Sequence, residues 1–325
     1  MSPQPTSIFN ISEINGTTHQ LSSSALNLTS AIFLFLTFAF GLVVNTLYLW
    51  VLCFRMIKTI TTTLFFHLIL ANLMVTFVFP FVAVYFIMES QWVFGSFLCK
   101  VINSFVSLGM YVAVFLLTLI SVDRYCLVFH PHAYKRYINP RFASITCLLF
   151  WFLAFGLTSP YLVFRQVKYE DNITTCYNDY TLSGKLHERN VKWVLFSIRL
   201  SMGFLIPFSI ITFCYVKIFI KMKRERLTRS NRPYRIILIA ILSFFISWTP
   251  YHIWYGMSAE KDTFKQSVLR SLQLLSICLT CINSCFTPVL YLFIVESFKN
   301  IFKKSILAII ELVVNETFTS TNPPN

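Results

Sequence analysis

The chain has 325 residues, of which 56% are hydrophobic and only 12% are charged. Because a soluble domain carries about 25% charged residues, this composition and the mean hydropathy of +0.66 indicate a membrane protein. The net charge of +14 does not indicate a nucleic-acid partner, because the basic residues are concentrated in alternate loops. None precedes Arg55, and the densest basic run extends from Lys217 to Arg235. We therefore expect membrane lipids, and no nucleic acid, around this chain.

The N-terminal segment, residues 1–29, contains no Lys or Arg and lacks the basic and apolar regions of a cleaved signal peptide. It holds three glycosylation sequons, at Asn10, Asn15 and Asn27, and a fourth follows at Asn172. The segment is therefore predicted to be an extracellular, glycosylated tail.

Seven apolar segments are long enough to cross a bilayer as helices. We predict them at Ser30–Phe54, Thr62–Met88, Phe97–Phe129, Phe142–Phe164, Lys192–Lys221, Tyr234–Gly256 and Val268–Val295. The predicted fold class is an all-α membrane protein, with a seven-helix domain over residues 30–295. The amphipathic segment Glu296–Ile310 predicts a short helix on the cytoplasmic membrane surface, and residues 311–325 predict a cytoplasmic tail.

The charges of the loops agree with an extracellular N-terminus. Every predicted inner segment is basic, and the outer segments carry acidic residues. This pattern predicts a multi-pass protein of the plasma membrane. Of the nine cysteines, Cys99 and Cys176 fall in outer segments, where the oxidising compartment favours a disulfide between them.

Polar residues and prolines occur at specific points within the spans. In chain order they are Gly41-Leu-Val-Val-Asn45, Asp123-Arg124-Tyr125, Trp151, Pro207, Tyr215, Phe244, Ser247-Trp248-Thr249-Pro250 and Thr287-Pro288-Val-Leu-Tyr291. Over residues 30–310 this set resembles the rhodopsin-class G-protein-coupled receptors. Shorter stretches resemble the chemoattractant branch of formyl-peptide, anaphylatoxin and chemerin receptors: Phe54-Arg-Met56, Trp92 with Phe94-Gly95, and residues 230–235, SNRPYR.

The resemblance implies that Arg124 contacts a heterotrimeric G protein once the sixth span moves outward, with Asp123 and Tyr125 beside it. It also implies that ligand binding is transmitted through Tyr215, Phe244, Trp248, Pro250, Pro288 and Tyr291. A purely anchoring Asp123–Arg124 pair is the alternative interpretation, and prolines can also kink membrane helices for architectural reasons alone.

The chain departs from the family pattern in the middle of the membrane. Asn72 and Thr287 stand where the family commonly has an aspartate and an Asn or Asp, and Ala113 replaces a common serine. Because hard cations need anionic oxygens, we expect no sodium site here. Asn72 is expected to hydrogen-bond to Asn45 and Ser284 instead.

Arg199 lies inside the fifth span, eight residues before Pro207. An arginine at membrane depth is costly and marks a functional site. The chemoattractant receptors that this chain resembles place a base there to bind an anionic group, and a planar guanidinium suits a carboxylate. The expected ligand is an extracellular peptide or an anionic lipid mediator. Alternatively, Arg199 snorkels or pairs with Glu188 or Asp179.

Other residues are expected to face the same cavity, namely Tyr251, His252, Tyr255, Tyr111, Ser107 and Arg165. For His252, an ordinary hydrogen-bonded histidine is the alternative interpretation.

The branch suggests an inhibitory-class G protein as the partner, and hydroxyl residues of the tail suggest arrestin. Because the chain has no phosphate-loop, dinucleotide or zinc-protease motif, we expect no enzyme, cofactor or metal. Two rival functions remain. A scavenger or arrestin-only receptor is disfavoured by the intact Asp123-Arg124-Tyr125, and a transporter or channel is disfavoured by the scarcity of acids in the spans.

Overall fold

The protein folds as a bundle of long helices, seen in a computed structural model that describes residues 11–170, 172–184, 187–225, 231–260 and 263–291. Seven helical segments are long and apolar enough to cross a membrane, which confirms the predicted number and makes the chain a multi-pass membrane protein. These spans are Ser24–Phe54, Ile60–Ile87, Gly95–Phe129, Pro140–Phe164, Glu188–Arg224, Ile237–Ala259 and Gln266–Pro288. The predicted surface helix Glu296–Ile310 and the tail lie outside the described residues.

Helices account for most of the described backbone, because a chain in lipid must satisfy the hydrogen bonds of its N–H and C=O groups internally. The α-helices are Ile11–Phe54, Ile60–Thr76, Phe79–Ile87, Gly95–Phe129, Pro131–Tyr137, Pro140–Phe164, Glu188–Leu200, Ile206–Arg224, Asn231–Ala259 and Gln266–Tyr291. The second span therefore consists of two helices, which meet just before Pro80.

The third span is the most deeply buried of the seven and forms the centre of the bundle. Its residues from Gly109 to Leu117 are all buried. Glycine permits close packing at two points. A Cβ on Gly109 would overlap Val75 of the second span, and a Cβ on Gly203 would lie 3.0 Å from Met110 Cε. Small residues at such contacts let membrane helices approach closely.

The fifth span changes its helical geometry in the middle. Helix Glu188–Leu200 is followed by a π-helical turn, Ser201–Leu205, and then by helix Ile206–Arg224, with Pro207 in its first turn. Proline lacks the N–H that a regular helix would use there, and single π-turns within helices occur frequently at functional sites. Arg199 lies directly before this turn.

One end of the bundle is covered by an antiparallel hairpin, Arg165–Glu170 with Ile173–Asn178, which the sequence analysis did not predict. The predicted disulfide between Cys99 and Cys176 is confirmed and joins the third span to the second strand. The backbone N–H of Trp92 donates to the carbonyl oxygen of Thr174 at 2.7 Å. We call this the disulfide end and the opposite end, which carries Arg124, the Arg124 end.

The packing at Gly109 gives a stability prediction. Gly109→Ala adds a methyl group that overlaps Val75, and overpacking of this kind costs about 1–3 kcal/mol. Gly156→Ala is the matched control, because a Cβ there meets nothing within 4 Å. Thermal unfolding of both variants in detergent should show a lower midpoint for Gly109→Ala alone. Equal midpoints would contradict the packing described here.

Candidate functional site

Arg199 is fully enclosed within the bundle, although it carries a full charge. It is only 2% exposed. Its guanidinium carbon lies 4.7 Å from the ring centre of Tyr251, 5.2 Å from those of Tyr255 and Tyr161, and 5.9 Å from that of Tyr111. Each tyrosine ring presents electron density that attracts a cation. We call these four residues the tyrosine cage.

The hydrogen bonds that Arg199 donates to oxygen atoms both come from one guanidinium nitrogen, Nη1. Nη1 donates to the hydroxyl oxygen of Ser107 at 3.1 Å and to the hydroxyl oxygen of Tyr161. Nη2 contacts the sulfur of Met110 at 3.8 Å, which is a weak acceptor. Nε is buried and has no hydrogen-bond partner in the described part of the chain. Nε is thus left to donate to a further oxygen, and Nη2 next to it has only the weak sulfur acceptor.

Arg199 has no acidic partner within 4 Å among the residues that the structure describes. The alternative pairings considered from the sequence do not occur. Glu188 pairs with Lys192 at 2.7 Å, and Asp179 accepts hydrogen bonds from Thr181. The site therefore presents a desolvated positive charge without a carboxylate to balance it.

Four of the other predicted ligand-binding residues contact Arg199. They are Tyr111, Tyr251, Tyr255 and Ser107.

His252 and Arg165 were predicted at the same site but lie in different surroundings. His252 is buried against Phe204, with ring centres 5.2 Å apart, and neither of its ring nitrogens has a partner within the described residues. Its ring also lies against that of Tyr251, with centres 5.9 Å apart. Arg165 donates to the carbonyl oxygen of Cys176 at 3.3 Å and so braces the hairpin.

Sequence reasoning missed three residues of the site: Tyr161, Tyr180 and Met110. Tyr161 follows a proline inside the fourth span, Pro160, and this position was the available signal. Tyr180 follows the second strand, and its hydroxyl lies 3.5 Å from that of Tyr255. Burial raises the pKa of Tyr180, so this residue stays neutral at physiological pH.

At the Arg124 end, the predicted Asp–Arg pair is formed, with Arg124 Nη2 3.2 Å from Asp123 Oδ2. Arg124 also donates to the hydroxyl oxygen of Thr61, and the hydroxyl of Tyr134 donates to Asp123 Oδ1 at 2.7 Å. Burial, and then this hydrogen bond, raise the pKa of Tyr134 and keep it a donor. The ring of Tyr125 stacks on Phe129, with centres 4.6 Å apart.

Packed aromatic residues of the sixth span extend from the tyrosine cage toward the middle of the bundle. Tyr251 contacts Trp248 at 5.5 Å between ring centres, and Trp248 contacts Phe244 at 5.9 Å. Pro250 and Pro288 lie inside their helices, and Tyr215 is buried. Nothing is described for the side chain of Tyr291.

The polar cluster in the middle of the membrane differs from its prediction. Asn45 Nδ2 donates to the carbonyl oxygens of Gly41 at 2.7 Å and Ser284 at 3.3 Å. The expected bonds of Asn72 are not formed, since its Nδ2 is buried without a partner in the described chain. The lack of sodium binding stays a prediction.

The glycosylation sequons lie in different environments. Asn172 is exposed at the hairpin turn, whereas Asn27 is 6% exposed and its Oδ1 accepts a hydrogen bond from Arg270 at 2.8 Å. A glycan at Asn27 would require this side chain to leave Arg270, and glycosylation there stays a prediction. Asn10 lies outside the described residues and no side-chain position is described for Asn15, so these sites and Asn172 remain predictions.

The unbalanced charge gives a second stability prediction. Arg199→Met keeps most of the side-chain length and removes the buried charge, so we expect it to stabilise the protein without ligand by about 1 kcal/mol or more. Arg189→Met is the matched control on the same helix, where the side chain is 68% exposed. Thermal unfolding in detergent measures both. A lower midpoint for Arg199→Met would show that the cage alone compensates the charge.

Comparisons with known proteins agree with this geometry. The family model for the 7 transmembrane receptor (rhodopsin family) matches residues 44–291. The chain is 40% identical over 318 residues to the Probable G-protein coupled receptor 33 of Pan paniscus and 39% identical to that of Homo sapiens, covering 95% of each chain in both comparisons. It is 35% identical to the Chemerin-like receptor 1 of Rattus norvegicus, covering 87% of this chain and 78% of the relative. The chain therefore belongs to the rhodopsin family of seven-transmembrane receptors.

Proposed function

We propose that this receptor acts at the plasma membrane, binds an anionic group of an extracellular ligand at Arg199 and activates a heterotrimeric G protein. One observation carries the proposal. A fully buried arginine keeps its Nε unpaired, has only a weak sulfur acceptor on Nη2, and has no carboxylate within 4 Å among the described residues.

Electrostatics explains why this arrangement favours an anion. Removing a charge from water costs several kcal/mol, and cation–π contacts return about 0.5–2 kcal/mol each. A carboxylate on the Nε–Nη2 edge would add a bidentate, charge-assisted pair, which is the strong geometry for arginine. The peptide C-terminus and the head group of an anionic lipid both provide it. Relatives named chemerin-like receptors support a chemoattractant ligand.

The proposed signal follows the sixth span. Tyr251 contacts Arg199 at one end and Trp248 at the other, so an anion that draws Arg199 toward itself changes the packing of both rings. A ligand that binds better to one arrangement of this helix shifts the population toward it. Release of Arg124 from Asp123 would then expose Arg124 to the G protein.

The resemblance to the chemoattractant branch supports an inhibitory-class G protein, followed by arrestin. The basic residues of alternate loops support an extracellular N-terminus and, with it, a disulfide end outside the cell. The rival scavenger function is less well supported, because the Asp123–Arg124 pair is intact.

G-protein dissociation in cells tests the proposal with a panel of chemoattractant peptides and anionic lipids. We expect a ligand that activates the unmodified receptor but not Arg124→Ala or Arg199→Met. Arg189→Met, with its exposed side chain, should respond normally. Surface expression is measured in parallel for each variant. Arrestin recruitment without any G-protein signal would contradict the coupling, and an unchanged response of Arg199→Met would contradict anion recognition.

The contact of Tyr134 with Asp123 predicts an effect on basal signalling. Tyr134→Phe removes a hydrogen bond to a charged group, which is worth about 1.5 kcal/mol, so states in which the Asp123–Arg124 pair is broken become about tenfold more populated. Tyr137→Phe is the matched control, because Tyr137 is 65% exposed. Basal G-protein dissociation should rise only in Tyr134→Phe. A fall in that variant would contradict the proposal that the Tyr134 hydrogen bond stabilises the Asp123–Arg124 pair.

A further inference from the structure

A cavity of about 120 Å³ adjoins Arg199 and extends sideways between the fourth and fifth spans. The tyrosine cage supplies polar groups at its inner end through Tyr111, Tyr161 and Tyr255. Its walls toward the outside of the bundle are apolar and are formed by Gly156, Leu157, Pro160, Leu195 and Ile198.

This gap opens on the surface of the bundle that faces lipid. Gly156 is exposed, and a Cβ built on it meets nothing within 4 Å. On the opposite wall, Ile198 is 40% exposed. The neighbours of Gly156 on the fourth span, Phe152 and Phe155, are also exposed large hydrophobic residues, as expected for a helix in contact with acyl chains.

Toward the disulfide end the same cavity is bounded by Asn178, Tyr180 and Tyr255. Tyr180 is buried, packs on Phe164 with ring centres 5.3 Å apart, and approaches the hydroxyl of Tyr255. Beyond these tyrosines lies a separate vestibule of about 550 Å³, which shares Tyr180 and Tyr255 as its wall. The vestibule is lined by Asp179, Glu188 and Lys192. Lys192 balances Glu188 in an ion pair, so the carboxylate of Asp179 is the group in this lining that repels an anion. The gap toward lipid has no acidic residue in its lining.

We propose that the anion reaching Arg199 is the carboxylate of a single-chain amphiphile, which enters from the bilayer between the fourth and fifth spans. The carboxylate binds the Nε–Nη2 edge, and the acyl chain lies in the gap beside Gly156 and Ile198 and continues into the membrane. This inference rests on the proposed recognition of an anion by Arg199 and names the class of ligand and its route.

The size of the cavity agrees with this occupant. At about 120 Å³, the cavity is roughly ten times the 10–15 Å³ that a single water molecule needs. That is enough for a carboxylate and the first methylene groups, with the rest of the chain outside the bundle. A peptide terminus would have to pass the Tyr180–Tyr255 wall, whereas an amphiphile needs no opening there.

The test uses the full-length receptor in lipid nanodiscs and a long-chain fatty acid that carries a diazirine in its tail. Its methyl ester, which lacks the charge, is the control probe. Photolabelling should reach residues of the fourth and fifth spans, and it should be lost with the ester and in Arg199→Met. Gly156→Trp fills the gap and should lower specific labelling about tenfold, equivalent to about 1.4 kcal/mol. Phe155→Trp, on the adjacent exposed position, should leave it unchanged.

Ile198→Trp blocks the gap from the other wall and replaces Gly156→Trp if that variant does not fold. Labelling that is insensitive to Arg199→Met would show annular lipid only and overturn the inference. The inference would also be overturned by labelling that depends on Arg199 but is unchanged in both Gly156→Trp and Ile198→Trp. In that second case the proposed recognition of an anion by Arg199 still stands.

Activation of the receptor by a soluble anionic peptide, measured alongside, distinguishes failure of this inference from failure of the proposed function. If activation by the peptide depends on Arg199 while the fatty acid does not bind, only the inference about the amphiphile fails. If activation by the peptide is unaffected by Arg199→Met, the proposed function fails as well.

Discussion

The charge of Arg199 has to be kept inside a membrane bundle without an ionic partner among the described residues, and much of the surrounding structure serves that end. Four tyrosine rings from the third, fourth and sixth spans surround the guanidinium, and hydroxyl groups accept its hydrogen bonds. Aromatic faces and hydroxyls moderate the cost of desolvation without neutralising the charge. The cage therefore makes the buried charge tolerable for folding, and the proposed anion would supply the ionic partner that the described residues do not.

The helical framework makes this placement possible. The close approach at Gly203 brings the fifth span against Met110 and Tyr111 of the third, one helical turn after Arg199. The hairpin, tied by the Cys99–Cys176 disulfide, leads into Tyr180, which covers the cage. From the cage, Tyr251, Trp248 and Phe244 form a continuous column of rings along the sixth span. This column begins at the proposed anion site and ends at Phe244, within the span whose movement is proposed to release Arg124.

The sequence predicted the seven spans, and Arg199 inside one of them, because length and hydropathy are properties of local sequence. It predicted the disulfide because Cys99 and Cys176 both fall in outer segments. It also placed Tyr111, Tyr251, Tyr255 and Ser107 at the same site. Tyr161 and Tyr180 were missed, since their positions depend on how the fourth span and the hairpin pack on the bundle. The same dependence explains Asn27, whose sequon is intact but whose side chain is bonded to Arg270 of a helix distant in sequence. No feature of the local sequence predicted the π-helical turn before Pro207 either.

The most direct test of the account is a double-mutant cycle on ligand binding. The anionic compound that activates the receptor and its uncharged amide are each titrated against the unmodified receptor and Arg199→Met. If the carboxylate binds the guanidinium, the two changes are strongly non-additive, with a coupling free energy of about 1.5–3 kcal/mol. Additive losses, with coupling near zero, would show that the anion binds elsewhere and that the buried charge of Arg199 has another purpose.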